Sequence, residues 1–452
     1  MATDNLVSGS KSSNLYDTII IGAGMSGLTA ALKMASEKKK VLLLEQHNLF
    51  GGLATSFIRG RFQFEAPIHE FYGLEAEDNM TEIRRFLEAA RVYVDFYKIP
   101  EAYRVVLPRE NINVEIPLGV QSMIDVIDRE VPCSRAGLSS LMNLCKDVAN
   151  SLKYISFKDG IEKISKKVMG SHVSFLKTAG YTAETVIRTF NIPQKALYLI
   201  YPYWFYIGIP VSNISFTVWA YLMADYFNED GENSIYKKHP LGMDVKSTIN
   251  SLGIQADYNT KVKQILLKDG KAVGLETSKG EKINANSVVY GSCVNKLYSG
   301  TSLGNGRKLI NNKQEFYVHL VLDLPPENLN IQNYSYFIGY TEESGSGPYT
   351  YQTLYPINYI TAICLNKIVP NCASVGTTEI SISTMSNKRM EDSDIQAEAY
   401  SDYKKRIAQS MIQRFGDVLG VDLFKHIKEM HISSPLSISG YSGLGSNFAY
   451  SL

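Results

Sequence analysis

The first apolar run of the chain is followed directly by glycines and then by helical spacing. The β-branched run Tyr16–Ile21 predicts a buried strand, Gly22–Gly27 predicts a tight turn, and Leu28–Lys38 predicts a helix. A second short apolar run, Val41–Leu44, ends at Glu45. The segment therefore predicts one βαβ unit with parallel strands, as at the start of a nucleotide-binding sheet.

The rest of the chain alternates between helical and strand-like blocks. Residues 79–239 have mainly helical spacing, with predicted helices at Met80–Ala90, Leu138–Ser156, Thr182–Phe190 and Val218–Phe227. Alternating runs divided by Asp-Gly and Lys-Gly turns predict an antiparallel meander between Ile254 and Tyr290, leading back into the first sheet. A second strand-rich block, Glu315–Met385, and a helix near Ile395–Phe415 follow.

Composition narrows the class of protein. The chain has 452 residues, 46 basic and 45 acidic side chains and a formal net charge of +1, so no nucleic-acid partner is predicted. With 45% hydrophobic and 20% charged residues, it is an ordinary globular chain of two or three packing units. Five cysteines without C-x-x-C spacing, and seven histidines without metal-ligand spacing, oppose a disulfide framework and a metal site.

Two segments bear on the cellular location of the protein. Residues 1–14 are polar, so we expect a loose tail and no secretory signal. The apolar stretch Ala196–Val211 contains two prolines and is shorter than the roughly 18 to 20 residues that a spanning helix needs. A cytoplasmic protein is predicted, with peripheral contact to a membrane left open.

The glycine cluster has the residue types that a dinucleotide requires. Gly22 permits the tight turn, Gly24 lets the backbone approach a pyrophosphate, and Gly27 lets the helix pack close to its strand. The carboxylate of Glu45 is placed to accept hydrogen bonds from an adenosine ribose whose 2′-hydroxyl is unphosphorylated. A tight turn without a ligand is the alternative. The remaining predicted contacts of this site are Ala23, Met25, Ser26 and Gln46.

A second glycine pair distinguishes the two common dinucleotides, because a plain NAD domain needs no such element. The sequence at Gly51, Gly52, Thr55 and Gly60 resembles the flavoprotein group that includes amine oxidases, protoporphyrinogen oxidase and phytoene desaturase, where G-G-x-x-x-T precedes a strand under the flavin. The chain departs from this pattern at Glu65, where the group has aspartate, and at the two residues that follow. The resemblance implies FAD as cofactor, with further contacts at Leu53, Ala54, Ala66, Pro67 and Ile68.

Later segments narrow the resemblance. The hairpin that contains Val262 is similar to the segment whose backbone contacts the adenine in these flavoproteins. Taken alone, the hairpin is equally consistent with a generic hairpin that has a buried valine. His239–Met243 and Pro435–Ser446 are similar to the branch of phytoene desaturase, carotenoid isomerase and retinol saturase. This branch implies flavin chemistry, by hydride exchange with flavin N5, that removes, adds or rearranges carbon–carbon double bonds in long apolar molecules.

The resemblance also implies the fold class. We expect an α/β protein in which a Rossmann-type FAD-binding domain is interleaved with a mixed α+β substrate-binding domain. Members of the branch continue beyond the position of Tyr450, so we expect the third cofactor part to be incomplete. After a tail at 1–14, the cofactor parts are 15–78, 240–310 and 425–452, and the substrate parts are 79–239 and 311–424.

Few residues suggest acid–base chemistry. His69 and Glu65 follow the flavin segment and are candidates for proton transfer, with local structural hydrogen bonds as the alternative. His319 lies in an apolar run, which favours a hydrogen-bonded core histidine. Tyr203, Trp204 and Tyr206 are candidates to line an apolar substrate pocket, with core packing or a membrane surface as alternatives.

Three rival functions stay open. The chain could oxidise amines, it could isomerise fatty-acid double bonds, or it could be a non-catalytic relative that binds a lipid or a protein and lacks a complete FAD site. Since the flavin carries the difficult chemistry, few catalytic side chains are required.

Overall fold

A computed structural model describes a defined part of the chain. The residues described are 15–52, 54–59, 62–65, 70, 88, 92, 97–154, 170, 172–203, 209, 211–227, 235–236, 247–291, 314–340, 358–369, 372–386 and 397–442.

The described part of the chain contains seventeen strands. In chain order they are β1 (Tyr16–Ile21), β2 (Val41–Leu44), β3 (Ser56–Arg59), β4 (Phe62–Glu65), β5 (Tyr97–Lys98), β6 (Tyr103–Leu107), β7 (Ile112–Ile116), β8 (Ile235–Tyr236), β9 (Gln255–Asp257), β10 (Val262–Lys268), β11 (Lys271–Thr277), β12 (Lys282–Tyr290), β13 (Gln314–Leu322), β14 (Ser335–Tyr340), β15 (Asn358–Cys364), β16 (Thr378–Ser386) and β17 (Ile427–Ser433).

Helices lie after β1, between β7 and β8, and around β17. They are α1 (Met25–Ser36), α2 (Val120–Glu130), α3 (Arg135–Tyr154), α4 (Val173–Thr178), α5 (Ala183–Ile187), α6 (Gln194–Ile200), α7 (Phe216–Tyr226), α8 (Ala397–Leu419) and α9 (Pro435–Ser442). Within the described part of the chain, no helix combines the length and the hydropathy needed to span a bilayer.

The first sheet has six strands in the order β10-β11-β12-β1-β2-β9. β1 pairs in parallel with β12 and with β2, and β2 pairs in parallel with β9. β10, β11 and β12 form the antiparallel meander, and their last strand returns to β1. Both faces are covered, since Ile20 packs in one apolar cluster and Ile19 in another. The predicted βαβ unit is confirmed, and so is the meander from β10 to β12. The first strand predicted for the meander, Ile254–Asp257, is instead β9, which pairs in parallel with β2.

The second sheet has seven strands in the order β17-β13-β16-β15-β14-β6-β7. One of its faces packs on α8, with Val318 and Ile382 in the same apolar cluster as Ile412 and Phe415. At the β6 and β14 end, the other face belongs to the core of helices α2 to α7, where Tyr103 and Phe337 join Trp219. The predicted strand-rich block and the helix after it are confirmed.

Two segments differ from the sequence prediction. The block predicted to be mainly helical also contains β6 and β7, an antiparallel pair that joins the second sheet through β14. The third predicted cofactor part, 425–452, begins with β17, and β17 pairs with β13 in the second sheet. Its place there follows from antiparallel pairing with a strand more than a hundred residues earlier, which local patterns do not encode. The predicted helix at Met80–Ala90 and the tail at 1–14 lie outside the described residues, apart from residue 88.

Candidate cofactor site and interior face

The glycine turn after β1 requires glycine at two positions. Gly22 has φ +93°, which side-chain-bearing residues rarely adopt, and its N–H donates to the carbonyl oxygen of Leu44 at 2.8 Å. A Cβ on Gly27 would lie 1.9 Å from the carbonyl oxygen of Gly22. The helix α1 can therefore approach β1 only with glycine at position 27, as the sequence predicted.

Gly24 has a different role, because its surroundings are open. It is the N-cap of α1 with ordinary extended backbone (φ −70°, ψ 175°), and no described atom lies within 4 Å of the position that a Cβ would take. The first turn of α1, which begins at Met25 and the exposed Ser26, has no acidic residue. The first N–H groups of a helix lack partners within the helix, and its positive end favours an anion, so this end of α1 has the chemistry that a diphosphate requires.

The second glycine pair packs directly on this turn. The N–H of Gly51 donates to the carbonyl oxygen of Ala23 at 2.8 Å, and a Cβ on Gly52 would lie 3.1 Å from the Cα of Gly24. Gly51 and Gly52 have φ of +108° and +60°. Ala54 and Thr55 follow as buried residues. The structure brings the two glycine motifs together, as expected for one site; Leu53 lies outside the described residues.

Glu45 is the buried acid of the site. Its carboxylate Oε2 accepts the N–H of Ala23 at 2.7 Å, and its Oε1 accepts the N–H of His47 at 2.9 Å. Each carboxylate oxygen can accept two hydrogen bonds, so the group keeps capacity for ribose hydroxyls. The ribose role of Glu45 stays a prediction, and the sequence analysis missed that Glu45 fixes the glycine turn from the next strand. Gln46, beside it, is exposed.

Val262 lies at the far edge of the same sheet. It begins β10, pairs with Thr277, and packs partly buried against the cluster that contains Ile19. Nothing in this arrangement distinguishes an adenine contact from ordinary packing, so its role stays a prediction.

The segment after the second glycine pair forms a hairpin of β3 and β4. The backbone of Glu65 pairs with that of Ser56. The rings of Phe57 and Phe64 lie against His319, with centroid distances of 5.3 and 5.6 Å. The hairpin therefore connects the cofactor end of the molecule to the second sheet. The predicted residues Ala66, Pro67, Ile68 and His69 lie outside the described residues.

The face of the second sheet that meets this hairpin is polar although it is buried. We call its central residues the polar panel: Tyr317, His319, Thr361, Ser381 and Ser383. Strand register places Thr361, Ser383 and Tyr317 in one row and Ser381 and His319 in the next. Thr361 Oγ1 and Ser383 Oγ are 2.6 Å apart, and His319 Nδ1 is 2.9 Å from Ser381 Oγ. The expectation that His319 is a hydrogen-bonded core histidine is confirmed.

A buried carboxyl stands beside the panel. Glu315 accepts a hydrogen bond from the Tyr317 hydroxyl at 2.9 Å. Burial raises the pKa of Glu315 to about 7, and the bond from Tyr317 offsets part of this rise. The sequence analysis missed this group. Its signal was the polar residue at every second position of an otherwise apolar strand, Glu315, Tyr317 and His319.

Two further carboxyl groups, those of Glu101 and Glu70, interact near the end of β5. Glu101 is buried, and its Oε1 accepts the N–H of Tyr334 at 2.6 Å. Glu70 has an enclosed Oε1. Burial, and then the charge of Glu101, raise the pKa of Glu70 to about 8. No group of His, Cys, Asp and Glu in the described part of the chain is arranged to hold a metal ion.

The predicted substrate residues are only partly placed. Tyr203 ends a short 3-10 helix, Tyr201–Tyr203, whose first residue is buried in the helical core. Trp204 and Tyr206 lie outside the described residues. The pocket role of Tyr203, Trp204 and Tyr206 therefore stays a prediction.

Comparison with known proteins supports the fold and the resemblance. A family model of NAD(P)-binding Rossmann-like domains matches residues 20–89. Among solved structures, cyclohexylamine oxidase from Brevibacterium oxydans has a TM-score of 0.57 at 12% identity, with 93% of this chain and 84% of that chain covered. The expected α/β fold with a Rossmann-like dinucleotide-binding domain is confirmed.

Curated relatives come from the branch that the sequence resembles. Prolycopene isomerase 2, chloroplastic, from an Oncidium hybrid cultivar is 28% identical over 288 residues, which is 61% of this chain and 48% of that protein. All-trans-retinol 13,14-reductase from Danio rerio is 26% identical over 282 residues, which is 59% of this chain and 45% of that protein. This chain thus spans about half the length of the curated relatives that it matches.

Proposed function

We propose that the chain is an FAD-dependent oxidoreductase that desaturates, saturates or isomerises carbon–carbon double bonds of an apolar polyene or lipid-like molecule. The observation that carries the proposal is the open space at Gly24, where the N-terminus of α1, the second glycine pair and Glu45 converge. These groups match the chemistry of an adenosine diphosphate: the N-terminus of a helix for phosphates and a buried carboxylate for ribose.

The residues around the glycine turn have separate roles in holding the cofactor. Gly24 leaves room for the phosphates, and Glu45 binds the ribose while it holds the turn through the N–H of Ala23. When bound, FAD supplies hydride exchange at its N5 atom. Glu65 and His69 are the proposed proton-handling residues. The apolar rings of Phe57 and Phe64 help to exclude water between the hairpin and the second sheet.

The names of the relatives support the choice of carbon–carbon double bonds. A prolycopene isomerase and a retinol 13,14-reductase both act, by their names, on polyenes. The shared property is a long apolar substrate, which we propose for this chain as well. Amine oxidation remains the rival within the same fold, as the cyclohexylamine oxidase shows.

The test is an absorbance spectrum of the purified protein, with and without added FAD, together with mass spectrometry of released cofactor and co-purified apolar ligand. We expect flavin absorbance that an electron donor bleaches, and its loss in the Gly24→Val and Glu45→Ala variants. Product analysis with a polyene then distinguishes isomerisation, which conserves electrons, from desaturation or saturation. A parent protein that takes up no FAD would refute the proposal.

A further inference from the structure

The two faces of the second sheet have opposite character. On the face toward α8, the central strands carry apolar side chains such as Val318, Ile380 and Ile382. On the other face, the polar panel occupies the alternate positions of the same strands at a comparable depth. A sheet built only for packing would use apolar β-branched residues on both faces, because these fit a buried strand and carry no polar group to desolvate.

The panel is bordered by apolar groups on both sides. Towards the cofactor end, Val321 packs with Phe62 and Phe64 of the hairpin. In the other direction, Tyr359 and Met385 belong to the helical core. The hydroxyl, imidazole and phenol groups thus lie in the middle of an apolar interior. This is the arrangement of a ligand site, in which an apolar lining accepts a chain and a few polar groups fix its orientation.

The hydrogen bonds within the panel leave capacity for one more partner. Thr361 and Ser383 share one hydrogen bond, although each hydroxyl has one donor and two acceptor positions. Ser381 bonds to His319 Nδ1 and so fixes the orientation of the imidazole ring. The hydroxyls of Thr361 and Ser383 therefore keep hydrogen-bonding positions for a polar group of a ligand.

The charges around the panel indicate whether the polar group of the ligand is charged or neutral. The same face carries the buried carboxyls of Glu315 and Glu379. The residues that strand register places on this face of β13, β15, β16 and β17 include the imidazoles of His319 and His431 but no Lys or Arg. Among the described residues of these strands, an anionic group would meet two buried carboxyls and no Lys or Arg. An alcohol or a carbonyl needs only hydrogen bonds, which the panel hydroxyls and the imidazoles can supply.

We propose that the polar panel is the subsite for an uncharged oxygen group, an alcohol or a carbonyl, on an otherwise apolar substrate. This inference rests on the proposed function, which gives the substrate an apolar chain, and it specifies the polar group at the end of that chain. It predicts that the enzyme prefers oxygenated polyenes to hydrocarbons and discriminates against carboxylic acids.

The test compares ligands of one skeleton that differ at one end: geranylgeraniol, the parent hydrocarbon, geranylgeranoic acid and geranylgeranylamine. Binding to the full-length protein is measured by tryptophan fluorescence, and flavin content is measured in the same samples by absorbance. We expect the alcohol to bind about tenfold tighter than the hydrocarbon and the acid, which corresponds to one or two well-placed hydrogen bonds. Equal affinity for the alcohol and the hydrocarbon, or tightest binding of the amine or the acid, would overturn the proposal.

Two isosteric variants provide the matched control. Thr361→Val removes a panel hydroxyl and should weaken alcohol binding about three- to tenfold while hydrocarbon binding changes less than about twofold. Thr384→Val removes a buried hydroxyl from the opposite face, where it donates to the Tyr359 carbonyl at 3.1 Å, and should change neither. Equal effects of the two variants would contradict the proposal. If the protein binds no flavin but still prefers the alcohol, the proposed function is refuted while the assignment of the panel as a subsite for an oxygen group still holds.

Discussion

Replacing Gly24 by alanine should separate cofactor binding from folding. The backbone of Gly24 (φ −70°, ψ 175°) is open to any residue, and no described atom lies within 4 Å of the added Cβ. Reduced entropy of the unfolded chain stabilises the variant by about 0.4 to 1 kcal/mol, and the poorer N-cap costs about as much. The free energy of unfolding of the protein without cofactor should therefore change by less than about 0.5 kcal/mol.

The same methyl group should be costly for FAD. It occupies the space through which phosphate oxygens reach the first N–H groups of α1, and a hydrogen bond to a charged group contributes about 1.5 to 3 kcal/mol. The loss of one such bond raises the Kd for FAD about ten- to a hundredfold. The assay is quenching of flavin fluorescence as FAD is titrated into protein freed of cofactor, with urea unfolding of the same preparation.

Two other glycines are the controls for this variant. Gly180→Ala also places a Cβ where no described atom lies within 4 Å, far along the chain from the glycine turn, and should leave FAD binding unchanged. Gly27→Ala forces a Cβ to 1.9 Å from the Gly22 carbonyl oxygen and should destabilise the fold itself. If Gly24→Ala binds FAD within about twofold of the parent, the diphosphate does not lie at this turn and the reasoning fails.

Three further variants address single interactions. Glu45→Gln places an amide NH₂ against one of two backbone N–H donors, so the free energy of unfolding should fall by about 1 to 3 kcal/mol in urea titrations, and an unchanged value would contradict the clasp on the glycine turn. Glu315 has its pKa raised from 4.5 to about 7 by burial, so its contribution to stability is complete below pH 4.5 and is lost as the pH rises through 7. Glu315→Gln should therefore flatten the decline in stability between pH 5 and about 8, and an unchanged slope would place the titrating group elsewhere. Phe415→Ala should cost about 3 to 5 kcal/mol because the ring is buried under the second sheet, which thermal unfolding would test against an exposed change such as Tyr221→Ala.

The sequence predicted β1, α1 and β2 because the formation of each depends mainly on residues close together in the chain. β1, α1 and β2 follow one another within thirty residues, and each has its own signal: a β-branched run, a helical stripe and a second apolar run. The helix begins at Met25, three residues before the predicted start, because Gly24 is its N-cap. The positions of Gly22, Gly24, Gly27 and Glu45 were predictable for the same reason, since the dinucleotide pattern lies in one short segment.

The parts that the sequence did not predict depend on distant partners. β7 is a regular alternating strand that pairs with β6. The other neighbour of β6, β14, lies more than two hundred residues further along the chain, and the segments after β7 are helical. Ser381 is an ordinary strand serine until antiparallel register places it beside His319. Likewise, to predict the hydrogen bond from the Ala23 N–H to Glu45, one must know where the second strand ends relative to the turn. Pairing across the sheets, rather than composition, determines these features.

The hairpin of β3 and β4 relates the cofactor site to the polar panel. The N–H of Gly51 is bonded to the carbonyl of Ala23, which fixes the start of this segment against the glycine turn. Phe57 is five positions after Gly52, and an extended chain rises at most about 3.6 Å per residue, so the Cα atoms of the two residues are no more than about 18 Å apart. The Phe57 ring then lies 5.3 Å from that of His319. The glycine turn proposed to bind the diphosphate and the panel are therefore linked by one short segment. A polar group bound at the panel would orient an apolar chain in the interior between them.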